Sequence, residues 1–482
     1  MILAFASPDT SDAASLSLRA VALYGAIVIG ATLSLLWRAE IGIYILTVIL
    51  PLQTTRYHLH RFLLGANVVD ILLLCTLIGY LMRRPHGPPG KSTTFRFLAL
   101  LGFFYYLSLW RGAFYLGTGL PLWFDDPRLV DFKNFMVMLL LALVTFLVVR
   151  TRKQMMVILV LCALTALVVD YSYFKGSLGR DFAHYSEATR DAGPLGYAGE
   201  NGLASYLVEM AACLIPFLAL RSIQAKLFVA LVLTATTICI LYSYSREAYI
   251  ALAVALCFVA VLRVRWLIIP ILALAFSWHT LLPTAVTERV AMTYTNADEG
   301  EHAKLDASAQ ERIMLWSDAV ELFKEHPIMG SGFLTYADMH RVGSYRDTHN
   351  FYLKMLVETG LIGVGLFVLQ LALLFTEGIK LFRKSEDSFL SLLGLGFAAL
   401  ILCAAIVNFF GDRWMFIQVS SNLWILLGCT VRARTLEPAT ELKPQIPARR
   451  FSWEPGSSLP APRSPLMATR TTQFHLRNVE DQ

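Results

Sequence analysis

The residue best suited to acid–base chemistry in this sequence is His349, which lies between Thr348 and Asn350. It falls where a long polar stretch gives way to an apolar one, and a neutral imidazole can accept a proton near pH 7. A lone histidine at the start of a helix is more often structural than catalytic. His349 is therefore a candidate general base that needs supporting residues around it.

Arginine is the second residue type that could do chemistry here. Arg246 lies in a charged turn between two apolar stretches, and its guanidinium fork could bind two oxygens of a phosphate. The alternative is an arginine that only extends to lipid headgroups. Further arginines lie in the polar stretches on the same side of the predicted bundle: Arg180, Arg190, Arg312 and Arg413. Each alone reads as a solvated or lipid-facing charge, but together they predict a site for a polyanion such as a diphosphate.

Asp125 and Asp126 are a pair of carboxylates directly before Pro127. Such a pair could bind a metal ion, but a turn with a helix-capping aspartate is the favoured interpretation. The sequence contains no Walker loop, HExxH motif, dinucleotide-binding glycine pattern or serine elbow. ATP hydrolysis and proteolysis of those types are therefore disfavoured.

The composition indicates a membrane protein. The 482 residues are 56% hydrophobic and 16% charged, with a mean hydropathy of +0.57, whereas soluble domains are about a quarter charged. The apolar residues fall in blocks of about 17–22, the length of a helix that crosses a bilayer. A transmembrane β-barrel would instead show alternating segments of about ten residues. We predict an all-α polytopic membrane protein with about 12–13 transmembrane helices and a long, partly helical outer loop.

The predicted spans follow the apolar blocks, and the second is short enough to be a half-helix. They lie near residues 18–37, 40–52, 63–82, 95–113, 132–149, 154–174, 201–220, 225–244, 247–263, 265–283, 351–375, 389–410 and 415–431. Basic clusters follow alternate spans, which places them on the cytoplasmic side. The formal net charge of +6 is thereby explained by topology, and no nucleic acid is expected as a partner.

The same pattern divides the chain into four parts. An N-terminal transmembrane bundle covers 1–283, and an outer loop with an amphipathic helix covers 284–350. C-terminal transmembrane helices cover 351–431. The tail, 432–482, is rich in Pro, Ser and Arg and is predicted to be disordered and cytoplasmic.

The long outer loop contains a predicted helix from Ala307 to His326, ended by Pro327. Its predicted apolar face consists of residues at three- and four-residue spacing: Ile313, Trp316, Val320 and Phe323. Such a helix could lie on the membrane surface and cover a cavity.

An ordered set of motifs covers roughly residues 195 to 365. They are Glu200 to Ala204, the Ser245-Arg246 turn, Arg312 followed by Trp316, His326 to Phe333, His349 to Leu353, and Glu358 to Gly363. In this order they resemble the O-antigen ligase and Wzy-type O-antigen polymerase superfamily, although each motif alone is weakly specific.

The resemblance implies a membrane glycosyltransferase of the bacterial inner membrane. Such an enzyme moves a glycan from undecaprenyl diphosphate to an acceptor hydroxyl on the periplasmic face. Ligases of the family use lipid A–core as acceptor, polymerases use a second lipid-linked glycan, and some relatives glycosylate proteins. The resemblance also implies metal-independent transfer without a cofactor, inversion at the sugar C1, and two glycan substrates and membrane lipids as partners.

The family's functional residues can be carried over motif by motif. Its essential outer-loop histidine matches His349 and one essential arginine matches Arg246, so these two are the predicted catalytic residues. Looser candidates for binding the diphosphate are Arg190 and Arg312, together with Arg180 and Arg413, which are included for their location only.

Two alternatives remain open at this stage. The acceptor is not specified, so an O-antigen ligase and a Wzy-type polymerase are both compatible with the motifs. A non-enzymatic transporter or flippase of lipid-linked glycans is the second alternative. A proton-coupled carrier of that kind would use Asp70 and Asp170, which lie within predicted spans.

Overall fold

The computed structural model describes residues 18–52, 59–83, 92–292, 294–295, 304–305, 307–342 and 347–436. Within these ranges the chain forms sixteen α-helices and one pair of very short strands. The helices are α1 Leu18–Leu36, α2 Glu40–Ile49, α3 Val68–Met82, α4 Thr93–Tyr115, α5 Pro127–Val148, α6 Arg152–Ser177, α7 Gly199–Leu214, α8 Ile223–Tyr242, α9 Arg246–Leu262, α10 Ile268–Leu281, α11 Thr284–Ala291, α12 Ala307–Glu325, α13 Tyr336–Met339, α14 Phe351–Lys384, α15 Ser388–Val407 and α16 Ile417–Leu436. The strands β1 Tyr294–Thr295 and β2 Lys304–Leu305 pair antiparallel.

The predicted all-α polytopic membrane fold is confirmed. Every predicted span coincides with a helix, α1 to α10 and α14 to α16. In the part of the chain that the structure describes, eight helices are each long and apolar enough to cross a membrane, or nine if the bent pair formed by residues 265–281 and α11 is one span. The predicted 12–13 spans exceed this number because several helices are short. At about 1.5 Å per residue, the ten residues of α2 and the fifteen of α3 fall short of a bilayer core of about 30 Å.

The centre of the bundle is formed by α7 and α15. Their most apolar stretches are 89% and 78% buried inside the protein, against 22% for α1. Helix α15 packs against α14, α7 and α9, and α5 packs against α16. Helix α16 is buried along almost its whole length, which explains why it tolerates a run of polar residues in its first turns. These central helices fix the positions of the loops at their ends.

Helix α14 is broken at Gly360, whose φ of 67° and ψ of −167° are not helical. The backbone N–H groups of Leu361 and Ile362 donate to Pro327 O at 2.9 Å and Ile328 O at 3.3 Å. These bonds use carbonyls from the preceding loop in place of the helix's own. The break is therefore closed by the segment that precedes it in the chain.

The loop segment also bonds back to α14. The N–H groups of Ser331 and Gly332 donate to Val357 O at 2.9 Å and Glu358 O at 2.7 Å. A Cβ atom on Gly330, where φ is 66°, would lie 2.3 Å from the carbonyl carbon of Glu358, so only glycine fits there. The motifs His326 to Phe333 and Glu358 to Gly363 thus form one structural joint.

The predicted loop helix is present as α12, but its buried face differs from the prediction. Leu315, Ala319 and Leu322 are buried, whereas Ile313 is 52% and Val320 39% exposed. The reason is the packing partner. Because α12 packs against α14, the residues next to the predicted apolar face are the ones that become buried. The described part of the predicted loop 284–350 also contains α11, which the sequence analysis did not predict.

The C-terminal boundary lies a little later than expected. Helix α16 continues to Leu436, five residues beyond the predicted end of the last span at 431. The predicted disordered cytoplasmic tail, 432–482, lies outside the described residues from 437 onward.

Candidate functional site

His349 is held by the carboxylate of Asp347. Asp347 Oδ1 accepts the backbone N–H of His349 at 2.8 Å, and the same oxygen lies 2.8 Å from His349 Nδ1. This contact orients the imidazole and favours the tautomer with the proton on Nδ1. Burial raises the pKa of Asp347, but the hydrogen bond and charge of His349 outweigh it and lower that pKa to about 2.

The backbone at His349 adopts a left-handed conformation, with φ of 47°. Residues other than glycine rarely adopt this backbone conformation, and those that do cluster at functional sites. The next residue, Asn350, caps α14 by accepting the Leu353 N–H at 3.1 Å. Phe351 N–H donates to Asn408 O at 2.9 Å, which ties the histidine segment to the turn between α15 and α16.

Helix α12 also contacts this segment. The indole Nε1–H of Trp316 donates to Thr348 O at 3.1 Å, one residue before His349. The loop helix is thereby fixed beside the histidine. This contact gives the Trp316 motif a structural role in positioning the candidate base.

Arg246 begins α9 and follows a second left-handed residue, Tyr244, with φ of 56°. Two other arginines bind the backbone just before it. Arg190 Nε–H donates to Ser243 O at 3.3 Å, and Arg289 Nε–H donates to Tyr244 O at 3.4 Å. The turn that presents Arg246 is therefore held by two neighbouring guanidinium groups.

Arg190 and Arg289 share the carboxylate of Glu187. Arg190 Nη1 lies 3.3 Å and Arg289 Nη2 3.5 Å from its two oxygens. Arg190 Nη2 also donates to Asn201 Oδ1 at 2.7 Å, and the Arg289 guanidinium lies 4.6 Å from the centre of the Tyr185 ring. Burial opposes ionisation of Glu187, but the Tyr185 hydroxyl and the two arginines lower its pKa.

The buried carboxylate of Glu247 connects this turn to the rest of the site. Glu247 is 4% exposed, and its Oε1 lies 4.0 Å from Arg413 Nε. The charges of Arg413, Arg312, Arg190 and His349 all act on it. The guanidinium group of Arg289 in turn interacts electrostatically with those of Arg246 and Arg190. We call Arg190, Arg246, Arg289, Arg312 and Arg413 the arginine cluster.

Arg180 makes its described contacts elsewhere. Its Nη2 lies 2.7 Å from Asp191 Oδ2 and its Nη1 donates to Thr189 O at 3.0 Å. These contacts brace the loop after α6. Of the six site residues predicted from the sequence, the structure brings five together around Glu247 and places Arg180 in this loop.

A buried ion pair joins the first turns of α14 to the turn before α16. Lys354 Nζ, on the first turns of α14, is 2.5 Å from Asp412 Oδ2 in the turn before α16, and the side chains are only 8% and 5% exposed. Burial raises the pKa of Asp412 although the nearby Lys354 charge opposes the shift. The second oxygen, Oδ1, is buried and accepts no hydrogen bond from the described residues.

Beside this pair lies a cavity of about 850 Å³. Its walls come from the loop between α4 and α5, the first turns of α5, the segment around α13, the start of α14 and the turn before α16. Six aspartates and only two cationic side chains line it: Asp125, Asp126, Asp131, Asp338, Asp347, Asp412, Arg128 and Lys354. We call this space the aspartate cavity.

Asp126 is a helix cap, in agreement with the favoured sequence interpretation. It accepts the Arg128 N–H at 2.9 Å at the start of α5, and the Arg128 guanidinium lies 2.6 Å from its other oxygen. The hydrogen bonds from Arg128 lower the pKa of Asp126.

The two aspartates considered for a proton-coupled carrier both have partners. Asp70 Oδ2 lies 2.5 Å from Lys133 Nζ. Asp170 Oδ2 accepts the Thr236 hydroxyl at 2.8 Å. Asp70 is thereby neutralised by an ion pair.

Sequence reasoning missed five residues that shape the site: Asp347, Glu247, Arg289, Lys354 and Asp412. Two of them adjoin motif residues, since Asp347 is two residues before His349 and Glu247 follows Arg246 directly. That adjacency to candidate catalytic residues was the available signal. Lys354 lies one turn into a predicted span and Asp412 in an outer turn, and nothing in the sequence pairs them.

Residues 228–368 match the family model Wzy_C, described as O-antigen ligase. This match confirms the resemblance inferred from the motifs and covers Arg246, Arg289, Arg312 and His349. A comparison with curated proteins found no match. Together with the apolar helices, this match supports, in general terms, a multi-pass membrane protein of the glycan ligase or polymerase type. Lipid-linked glycans and glycan acceptors are the general substrates of that family.

Proposed function

We propose that this protein is an O-antigen ligase-like glycosyltransferase of the bacterial inner membrane. It moves a glycan from undecaprenyl diphosphate to a hydroxyl of lipid A–core on the periplasmic face, with inversion and without a metal ion or cofactor. One observation carries the proposal. His349, oriented by Asp347, adjoins both a cluster of arginines and a separate cavity that is lined by aspartates.

In this mechanism the acceptor hydroxyl attacks the sugar C1 from the face opposite the diphosphate. His349 Nε2 takes the hydroxyl proton as the new C1–O bond forms. The bond between C1 and the phosphate oxygen breaks, and undecaprenyl diphosphate leaves with the electron pair. General-base catalysis of this kind contributes about 10²–10⁴-fold to a rate.

The arginine cluster supplies the electrostatic part of the reaction. Negative charge develops on the leaving diphosphate, and preorganised guanidinium groups stabilise it in the transition state. Arg246 is the proposed catalytic arginine, and Arg190, Arg312 and Arg413 are proposed to add to the diphosphate site. The contacts of Arg180 with Asp191 support a more remote role in shaping the loop after α6.

The decisive assay combines purified protein in detergent, an undecaprenyl-diphosphate glycan and each candidate acceptor in turn. Transfer to lipid A–core without any ion gradient supports the proposal. Transfer only to a second lipid-linked glycan identifies a Wzy-type polymerase. Movement of intact donor across liposome membranes, with no donor consumed in detergent, identifies a transporter and overturns the proposal.

The location of the site can be tested separately by cysteine labelling. Ser317 on α12 and Glu386 between α14 and α15 are both exposed and lie on opposite sides of the predicted span. In intact cells with a permeable outer membrane, an impermeant maleimide should label Ser317→Cys and not Glu386→Cys, with the parent protein as background control. The reverse pattern would place the site in the cytoplasm.

A further inference from the structure

Two arginines lie close together at the end of the bundle where the basic clusters gather. Arg150 directly follows α5 and Arg432 lies in the last turns of α16, and their guanidinium groups interact electrostatically. The first turns of α5 line the aspartate cavity, and its 22 residues span about 33 Å at about 1.5 Å each. This pair is therefore remote from the candidate base, at the opposite end of the bundle.

Other arginines at this end are either paired or exposed. Arg434 forms an ion pair with Glu377, and Arg263 and Arg265 after α9 are exposed. Arg432, by contrast, is only 7% exposed, and in the part of the chain that the structure describes it forms no ion pair with a carboxylate. A buried charge without a counter-charge costs free energy, so the positive-inside pattern alone does not explain this residue.

Aromatic rings hold both guanidinium groups. That of Arg150 lies 5.7 Å from the centre of the Tyr80 ring on α3, and that of Arg432 lies 5.6 Å from the centre of the Phe146 ring on α5. A ring contacts the flat face of a guanidinium, whereas its N–H donors point outward in the plane. The buried Nε atoms of both arginines donate no hydrogen bond within the described ranges. The pair therefore has donors for an acceptor that the described residues do not supply.

One carboxylate of this region, that of Glu40, already has other partners. The Gln154 side chain accepts the backbone N–H of Arg150 at 2.7 Å and donates to Glu40 Oε1 at 3.0 Å. The same oxygen accepts the Nε–H of Arg38 at 2.8 Å. Glu40 thus neutralises Arg38 and contacts Arg150 only through Gln154.

We infer that Arg150 and Arg432 form a binding site for a phosphate group. Phosphate oxygens accept charge-assisted hydrogen bonds from guanidinium groups, and the negative charge offsets the repulsion between the two arginines. The Tyr80 hydroxyl accepts from Arg150 Nη2 at 3.4 Å and keeps its own hydrogen as a further donor.

Two sources share this chemistry, the headgroup of an anionic phospholipid and a free phosphate ion. The lipid suits the position better, because the ends of apolar helices lie at headgroup level and basic pockets between such helices bind anionic headgroups. This site goes beyond the proposed transferase function and does not depend on it.

The binding test uses the full-length protein in detergent and three probes. They are phosphatidylglycerol, phosphatidylcholine with the same acyl chains, and inorganic phosphate. We expect phosphatidylglycerol to bind about tenfold or more tightly than phosphatidylcholine, the effect of one charge-assisted hydrogen bond. Native mass spectrometry measures the bound lipid, and the rise in melting temperature over chloride at equal ionic strength measures binding of phosphate.

Two variants and one control assign the effect to this pair. Arg432→Gln and Arg150→Gln each remove one charge and should each reduce the preference for phosphatidylglycerol about tenfold. The control is the double variant Arg263→Gln with Arg265→Gln, which removes two exposed charges from the same end and should keep the preference. If the buried Arg432→Gln protein fails to fold, the half-buried Arg150 gives the same test.

The three probes also distinguish the two sources. A preference for phosphatidylglycerol that is lost in the variants identifies the lipid. Binding of inorganic phosphate without a lipid preference, lost in the same variants, identifies the free ion. Absence of both in the parent protein, an effect unchanged in the variants, or an equal loss in the control overturns the inference. Glycan transfer is not part of the readout, so failure of the proposed function would leave this result intact.

Discussion

The arginine cluster and the aspartate cavity both lie near His349 and have opposite charge. The cluster gathers five guanidinium groups near two carboxylates, those of Glu187 and the buried Glu247. The cavity gathers six carboxylates around Arg128 and Lys354. Neither arrangement is neutral, and like charges held together cost stability. The structure retains both, which is expected of regions selected for binding.

This difference bears on the proposed donor. Its diphosphate would be attracted by the arginine cluster and repelled by the carboxylates of the cavity. His349 contacts the aspartate side through Asp347 and influences Glu247 on the arginine side. A proton acceptor at this boundary is where an acceptor hydroxyl would meet the donor sugar.

The largest expected effect concerns the histidine at the boundary. His349→Ala should lower the single-turnover transfer rate by about 10²–10⁴-fold, while donor affinity stays near that of the parent, because the diphosphate contacts lie in the arginine cluster. His279→Ala, at an exposed histidine of α10, is the matched control. Near-normal turnover in a folded His349→Ala protein would remove the proposed base and with it the contrast between the two sides.

The arginine side is tested through Arg246. Arg246→Ala should weaken donor binding and lower the rate by about tenfold to a hundredfold, the cost of a charge-assisted hydrogen bond of roughly 1.5–3 kcal/mol. Arg246→Lys should recover little if the contact is bidentate, because an ammonium group is a point charge. Donor affinity and rate are compared with those of Arg265→Ala, an exposed arginine of a basic cluster. Unchanged donor affinity and rate would indicate an arginine that only reaches lipid headgroups.

A smaller effect is expected for the residue that orients the histidine. Asp347→Asn should lower the rate about twofold to tenfold, because the amide keeps an acceptor for the Nδ1–H and loses only the carboxylate charge, a difference of about 0.5–1.5 kcal/mol between a charged and a neutral hydrogen bond, and should leave donor affinity unchanged. A purely structural role would instead change thermal stability without a specific loss of rate. Rates and melting temperatures of the same preparations distinguish the two.

The same residue predicts a pH dependence of stability. The folded-state pKa of Asp347 is about 2, below its ordinary value of 3.8, so the unfolded chain binds the proton first. The stabilisation by Asp347 is complete above pH 3.8 and is lost as the pH falls toward 2. The melting temperature of the parent should therefore exceed that of Asp347→Asn just above that pH. The difference should shrink below it, and a difference that grows on acidification would contradict the assignment.

The smallest expected effect is that of chelation. Transfer should persist in EDTA, because the two carboxylate oxygens of Asp126 already bind the backbone N–H and the guanidinium of Arg128. The measurement is the initial rate before and after chelation. If EDTA abolishes transfer and one divalent ion restores the rate, the aspartate cavity contains a metal site, with Asp125 and Asp126 as the candidate ligands.

The sequence by itself determined the class of fold and the two residues at the centre of the proposal. Apolar blocks specify helices locally, since their length and the polar turns between them are enough to place α1 to α10 and α14 to α16. The ordered motifs were sufficient to single out His349 and Arg246. The glycines of the joint between Gly330 and Gly360 were also visible, although their role was not.

Only the tertiary structure decided which residues surround those two. The buried face of α12 is Leu315, Ala319 and Leu322 because α14 is its packing partner, and a periodic pattern cannot choose between adjacent stripes. The pairs Glu247–Arg413 and Lys354–Asp412 join residues that are far apart in the chain. Their contacts depend on how the helices pack, and the aspartate cavity exists only where five segments meet. Charged residues that are far apart in the sequence interact only when packing brings them within a few ångströms. Electrostatic energy depends on distance and burial and not on order in the chain.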